Sequence, residues 1–333
     1  MTPVATKINL LYLTGCIFPQ FKRKEYKTVT NFSNTLAIAL VQHVCTDQPA
    51  INLDHIEQAL HQAAAQNAKL VLLQELHNTR YFCQEESASY FALAETIPGP
   101  TTARLGALAK ELGLVIVASL FEKRAPGLYH NTAVVLEKNG EIAGCYRKMH
   151  IPDDPGYYEK YYFTPGDLGF EPIQTSVGKL GVLVCWDQWF PEAARLMAMA
   201  GADILLYPTA IGWDPDDSIE EQQRQLEAWI TIQRSHAIAN GIPVAACNRC
   251  GFEPDPSGVM SGSQFWGHSF ICGPQGEILT QASAEEPQIL YAELDMQRSE
   301  DVRQVWPYFR DRRIDAYGEL VKRFRDRYPG HPD

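Results

Sequence analysis

From residue 35 onward, short runs that are apolar throughout alternate with stretches in which apolar residues recur every three or four positions. The runs are TLAIALVQHV, KLVLLQE, LVIVASLFE, LGVLVCWD, DILLYP and IPVAACNR. Strands without polar alternation are read as buried on both faces, as in sheets covered by helices. Between them, INLDHIEQALHQAAAQNA places Ile56, Leu60 and Ala63 on one helical face, and TTARLGALAKELG stops at Gly113. PEAARLMAMAGA and a long segment near 219–240 read as two more helices. NTAVVLEKNGEIAGCYRK reads as a hairpin turning at Asn139-Gly140, and SFICGP and ILYAELD as strands flanking a Gln275-Gly276 turn. The pattern predicts an α/β domain whose sheets are mixed, since hairpins interrupt the strand–helix alternation.

No Gly/Ser-rich linker and no short repeat divides the chain, so a single domain is expected over 35–300. Residues 301–333 form a C-terminal arm in which arginines alternate with aromatics, expected as a subunit contact, with packing on its own domain as the alternative. Residues 1–34 carry five Lys/Arg against one Glu. LTGC at 13–16 resembles a lipoprotein cleavage box, but the apolar run before it is shorter than a signal peptide needs. The segment is expected to be a loosely ordered extension, or the product of a start placed upstream of the domain.

A net charge of −11 argues against nucleic acid or an anionic membrane as partner and is compatible with a small cationic substrate. No apolar run approaches the ~20 residues of a membrane helix. Of eight cysteines, only Cys247 and Cys250 form a CxxC, with no second CxxC and no HxxxH to complete a zinc set. The chain is expected to be reduced, cytoplasmic and without disulfides.

Three residues share one position in this pattern. Glu75 closes LVLLQE, Lys148 closes AGCYRK and Cys185 closes LGVLVC. Ligands of α/β sheets bind beyond the carboxyl ends of strands, so a carboxylate, an ammonium and a thiol delivered there make a recognisable set. The carboxylate takes the thiol proton during attack, the ammonium stabilises an oxyanion, and the backbone N–H of Trp186 supplies a second donor. Read singly, each residue is as ordinary as a loop Glu, a surface Lys or a core Cys. Glu159, set among tyrosines in GYYEKYYF, is a candidate partner for Lys148, because a charge among aromatics is costly unless paired. Glu192 is either a further site carboxylate or a first-turn helix residue. His150 and His236 are expected to be structural, and no papain-type Cys–His signature is present.

Glu75, YRKMHIPD and CWDQWFPEAAR, in that order, resemble the nitrilase or carbon–nitrogen hydrolase superfamily over about 35–318. The resemblance implies a four-layer αββα sandwich, a Glu75–Lys148–Cys185 triad without metal or organic cofactor, and homo-oligomers. Further stretches, among them YYEKYYFTPGD, QRSHAIANGIPVAACNR and RDRRIDAY, are similar to the branch that hydrolyses N-carbamoylputrescine to putrescine, CO2 and ammonia. Such a substrate wants apolar walls and a terminal carboxylate. Asp214, in AIGWDPDDS with Asp216 and Asp217, is the expected amine-facing group, and Tyr81 is expected to line the chain. Cys250 and His268 depart from the family pattern, and residues 1–34 have no counterpart in it. Rival readings keep the chemistry with another substrate (β-ureidopropionase, N-carbamoyl amino acid hydrolase or ω-amidase), or discard it for a non-catalytic oligomeric scaffold. Carboxylate-bearing substrates would want a basic pocket.

Overall fold

The computed structural model describes residues 34–325. The chain runs β1 (Thr35–Gln42), α1 (Pro49–Ala65), β2 (Leu70–Leu73), α2 (Pro100–Leu112), β3 (Val115–Ala125), β4 (Leu128–Leu136) and β5 (Ile142–Arg147). A single turn, α3 (Glu159–Tyr162), leads to β6 (Ile173–Thr175), β7 (Gly178–Val182), α4 (Pro191–Met199), β8 (Ile204–Pro208) and β9 (Gly212–Trp213). Then follow α5 (Ile219–Asn240), β10 (Val244–Cys247), β11 (Cys250–Pro254), β12 (Gly262–Trp266), β13 (Phe270–Cys272), β14 (Ile278–Gln281), β15 (Gln288–Asp295) and α6 (Met296–Val305).

Two six-stranded sheets have the orders β15-β1-β2-β3-β4-β5 and β14-β13-β10-β8-β7-β6, and β11-β12-β9 form a small third sheet. In each large sheet three parallel strands are flanked by antiparallel ones. Period-two alternation divides the first sheet's side chains between two cores. Ala39, Val41, Val71 and Leu73 pack with Ile56 and Leu60 of α1 and Leu105 and Leu108 of α2. Leu36, Ile38, Leu40, Leu70 and Leu72 face Leu180, Val182, Ile204 and Leu206 of the second sheet in a core that also takes in α4 and α5. The layers are therefore αββα. β2, β8 and β10 have no exposed residue, as their unbroken apolar runs require.

Three expectations are revised. The turn at Asn139-Gly140 is longer than a two-residue hairpin: Glu137 N donates to Glu141 O, and only Gly140 is left-handed, at φ 90°. SFICGP and ILYAELD are not partners, because β13 pairs with β14 while β15 pairs with β1 in the other sheet. The 300/301 boundary falls inside α6. Within the arm, Phe309 lies under the guanidinium groups of Arg195 and Arg303, so this part packs on the domain, while Trp306, Val321 and Phe324 are exposed. Residues 1–33 lie outside the described residues.

Candidate active site

β2 and β3 are parallel, and the reversals into β4 and β5 bring β5 back to their direction. Glu75, two residues beyond β2, and Lys148, the residue after β5, therefore emerge on one rim. Lys148 Nζ donates to Glu75 Oε1 at 2.8 Å and to Glu159 Oε2 at 2.7 Å, and all three side chains are fully buried. Asn131 Nδ2 also donates to Glu75 Oε1 (2.6 Å), and the Tyr81 hydroxyl donates to Glu159 Oε1 (2.7 Å). That leaves Glu75 Oε2 buried and unpartnered among the described residues, an acceptor held ready for a proton. Glu75 N donates to Thr209 O at the end of β8, tying the two sheet ends together.

Cys185 lies three residues beyond β7 and opens the short 3₁₀ turn Cys185–Trp189 at φ 45°, a left-handed conformation unusual for a non-glycine residue. Asp187 holds that turn. Its buried carboxylate accepts from Val184 N (2.9 Å), Tyr146 OH (2.8 Å), and His150 N (3.0 Å), with His150 Nδ1 at 2.7 Å. His150 also stacks on Phe190 at 3.7 Å, and His236 Nε2 meets Gln188 O, so both histidines serve the framework. The strained turn presents Sγ, which donates weakly to Ala210 O at 3.6 Å.

Burial pushes the Cys185 thiol well above its ordinary range, the Glu75 charge adds to this, and Lys148 opposes it. The nucleophile therefore rests as a thiol and must lose its proton during attack. Burial also works against the Lys148 ammonium, but Glu159 and Glu75 outweigh it and hold the residue cationic. Burial raises Glu159 to about 7, against the pull of Lys148. A carboxyl group with a raised folded pKa binds more protons folded than unfolded, so its contribution to stability is greatest below about 4.5 and declines as pH rises to about 7. We expect Glu159→Gln to flatten the fall in melting temperature between pH 5 and 8. Thermal melts across that range check this, and parallel curves for the two proteins would refute it.

A cavity of about 420 Å³ opens over Cys185, lined by Tyr157, Trp186, Trp189 and Trp266 and bordered by Asp154, Asp214 and Asp217. Among the described residues, no Lys or Arg lines it. Asp217 accepts from Gln225, which also lines the cavity. Of the residues expected from the sequence, the structure brings Glu75, Lys148, Glu159 and Cys185 together and puts Trp186 and Asp214 at the cavity. Two expectations need correction. Tyr81 is not in the wall: it is fully buried behind it and spends its hydroxyl on Glu159. Glu192 is exposed in the first turn of α4 and does not line the cavity, because Pro191 starts the helix with that position turned outward. Neither Cys250 nor His268 lines the cavity. Asn131, Tyr157 and Trp189 escape a reading of the sequence, and Asp217 is named there only beside the favoured Asp214.

A thiol on a strained strand-to-helix turn, a buried carboxylate and a captive ammonium define a hydrolase that cleaves carbon–nitrogen bonds through a cysteine. The sequence profile of the carbon-nitrogen hydrolase family matches residues 37–304, and the chain belongs to that family. The chain is similar to the N-carbamoylputrescine amidase of Solanum lycopersicum, with 43% identity over 289 residues covering 86% of this chain and 95% of the relative. It is also similar to the citrullinase of Francisella tularensis subsp. tularensis, with 40% identity covering 87% and 99% respectively. Among solved structures, the carbon-nitrogen hydrolase from Helicobacter pylori G27 is 56% identical, with a TM-score of 0.85 over 87% of this chain and 99% of that one.

Proposed function

We propose that this enzyme hydrolyses N-carbamoylputrescine to putrescine, CO2 and ammonia. The observation that carries the reading is the cavity itself: a nucleophile at its base, tryptophan and tyrosine walls, and a border of carboxylates with no Lys or Arg among the described residues. A ureido group, a four-carbon chain and an ammonium match those three zones in order. The similarity to N-carbamoylputrescine amidases supports the same substrate.

Cys185 is the nucleophile, Glu75 the general base and acid, Lys148 the oxyanion stabiliser and Glu159 the carboxylate that holds Lys148 in place. Glu75 takes the thiol proton as Sγ bonds to the ureido carbon, and negative charge collects on the ureido oxygen beside the Lys148 ammonium and the Trp186 N–H. The bond from that carbon to the chain-bearing nitrogen then breaks. Glu75 returns its proton to the departing amine, and a carbamoyl group stays on sulfur. Water, deprotonated by Glu75, displaces the thiol, and the released carbamate decomposes to CO2 and ammonia.

Citrulline is the instructive competitor, since it is the same molecule bearing an additional carboxylate and one relative is a citrullinase. An acidic border, with no Lys or Arg among the described residues, disfavours that carboxylate. The test is ammonia release from N-carbamoylputrescine, L-citrulline and N-carbamoyl-β-alanine. Preference for the first supports the proposal, and preference for either acid overturns it. Replacing Asp214 and Asp217 together by Asn is expected to raise KM for N-carbamoylputrescine about tenfold, a loss of ~1.4 kcal/mol, with kcat little changed. An unchanged KM would remove these carboxylates from amine recognition.

The seven cysteines of the described residues are all free, which supports a reducing, cytoplasmic setting. No helix among those residues is long and apolar enough to cross a membrane. The exposed Trp306, Val321 and Phe324 of the C-terminal arm support assembly into homo-oligomers.

A further inference from the structure

Behind the triad lies a second buried ion pair that the reaction scheme does not use. Arg249, between β10 and β11, is fully buried, and its Nη1 donates to Glu253 Oε1 at 2.9 Å. Its Nη2 donates to two successive backbone carbonyls, Glu75 O at 3.0 Å and Leu76 O at 2.6 Å. The other oxygen of Glu253 accepts from Tyr81 N at 2.6 Å. The pair thus grips both ends of the loop from Glu75 to Tyr81. One end carries the carboxylate that faces Cys185, and the other carries the hydroxyl that orients Glu159. The loop needs gripping, because Leu76 sits at φ 47°, a left-handed conformation that is strained for a branched residue.

We infer that Arg249 and Glu253 are positioning residues: their ion pair holds the Glu75–Tyr81 loop in its strained turn and so keeps the general base in register with the nucleophile. The inference rests on the roles proposed for Glu75 and Cys185 but not on the substrate. A planar guanidinium can serve a carboxylate and two carbonyls at once, whereas an ammonium on a flexible stem keeps the charge and loses that geometry. Truncating Arg249 would strand Glu253 as a buried charge and endanger folding, so the informative variants are Arg249→Lys and Glu253→Gln.

Each variant, with folded fraction matched to wild type by circular dichroism and thermal melting, is assayed for N-carbamoylputrescine turnover. The rate of Cys185 alkylation by iodoacetamide is followed by peptide mass spectrometry. For Arg249→Lys the expected result is a fall in kcat of at least a hundredfold with KM within threefold of wild type, and Cys185 alkylation slowed at least tenfold. Glu253→Gln keeps an acceptor for Tyr81 N and is expected to retain more activity than Arg249→Lys. If folded Arg249→Lys alkylates and turns over within threefold of wild type, the inference is overturned while the substrate proposal stands. It is overturned equally if the losses only track a smaller folded fraction. If wild type fails to hydrolyse N-carbamoylputrescine but alkylation still slows in the variant, the substrate proposal falls and the clamp stands.

Discussion

Cys185→Ala is expected to fold as wild type does and to release no measurable ammonia from N-carbamoylputrescine, a loss in kcat of at least about 10⁴-fold. The thiol makes only a weak bond to Ala210 O, so its removal leaves no strong partner stranded in the interior. What disappears is the only atom able to form the carbamoyl intermediate. Lys148 and Trp186 would still bind the ureido oxygen, so substrate affinity should survive. Ammonia assays, paired with calorimetric binding to the Ala variant, separate the two effects. Residual turnover within a hundredfold of wild type would mean that water attacks directly and that the sulfur is not the nucleophile. Serine at the same position should fare little better, because its hydroxyl is far less acidic than a thiol and Glu75 is a weak base for it.

Lys148→Met is expected to abolish activity and to destabilise the fold as well. Two carboxylates, Glu75 and Glu159, share this one ammonium in a site without solvent exposure. Removing one partner from a buried ion pair costs about 3–5 kcal/mol, because the remaining charge stays buried without compensation. For a domain of this size that corresponds to a fall in melting temperature on the order of 10 °C. The double variant Lys148→Met/Glu159→Gln should recover much of that stability, since Gln can still accept from Tyr81, yet it should remain inactive. Thermal melts and turnover of the two variants decide the matter. Activity in either would show that the oxyanion is stabilised elsewhere, and equal stability of Lys148→Met and wild type would show that the carboxylates simply take up protons.

How far the sequence can be read depends on whether a residue's role is local. Strands such as LVLL and ILLYP declare themselves, because burial on both faces removes every polar position. The site can be anticipated because three chemically distinct side chains all end strands, and strand ends in parallel arrays meet at one rim. Tyr81 falls in the wrong layer on a sequence reading, since nothing in YFCQ says whether a ring faces ligand or core. Glu192 misleads because a first-turn helix carboxylate has the same sequence surroundings whether it serves the helix or a site. Arg249 cannot be foreseen, as its partners Glu75 and Leu76 lie 174 and 173 residues away. Likewise, the pairing of ILYAELD with β1 is set by which sheet has an open edge, not by its nearest turn.

That last pairing bears on synthesis. β1 lies between β2 and β15, and its register with β15 runs from Thr35 opposite Asp295 to Gln42 opposite Gln288. A nascent chain has β1 and β2 in hand almost at once, but the strand that seals the other side of β1 leaves the ribosome only after nearly the whole domain. Until then a row of unsatisfied backbone donors and acceptors stands open on an apolar strand, which is the template on which misassembly begins. A message cut short before codon 288 would encode a protein with every triad residue and an unsealed sheet. Closure over β1 therefore comes late in the described chain, and possession of the catalytic residues does not by itself make a finished enzyme.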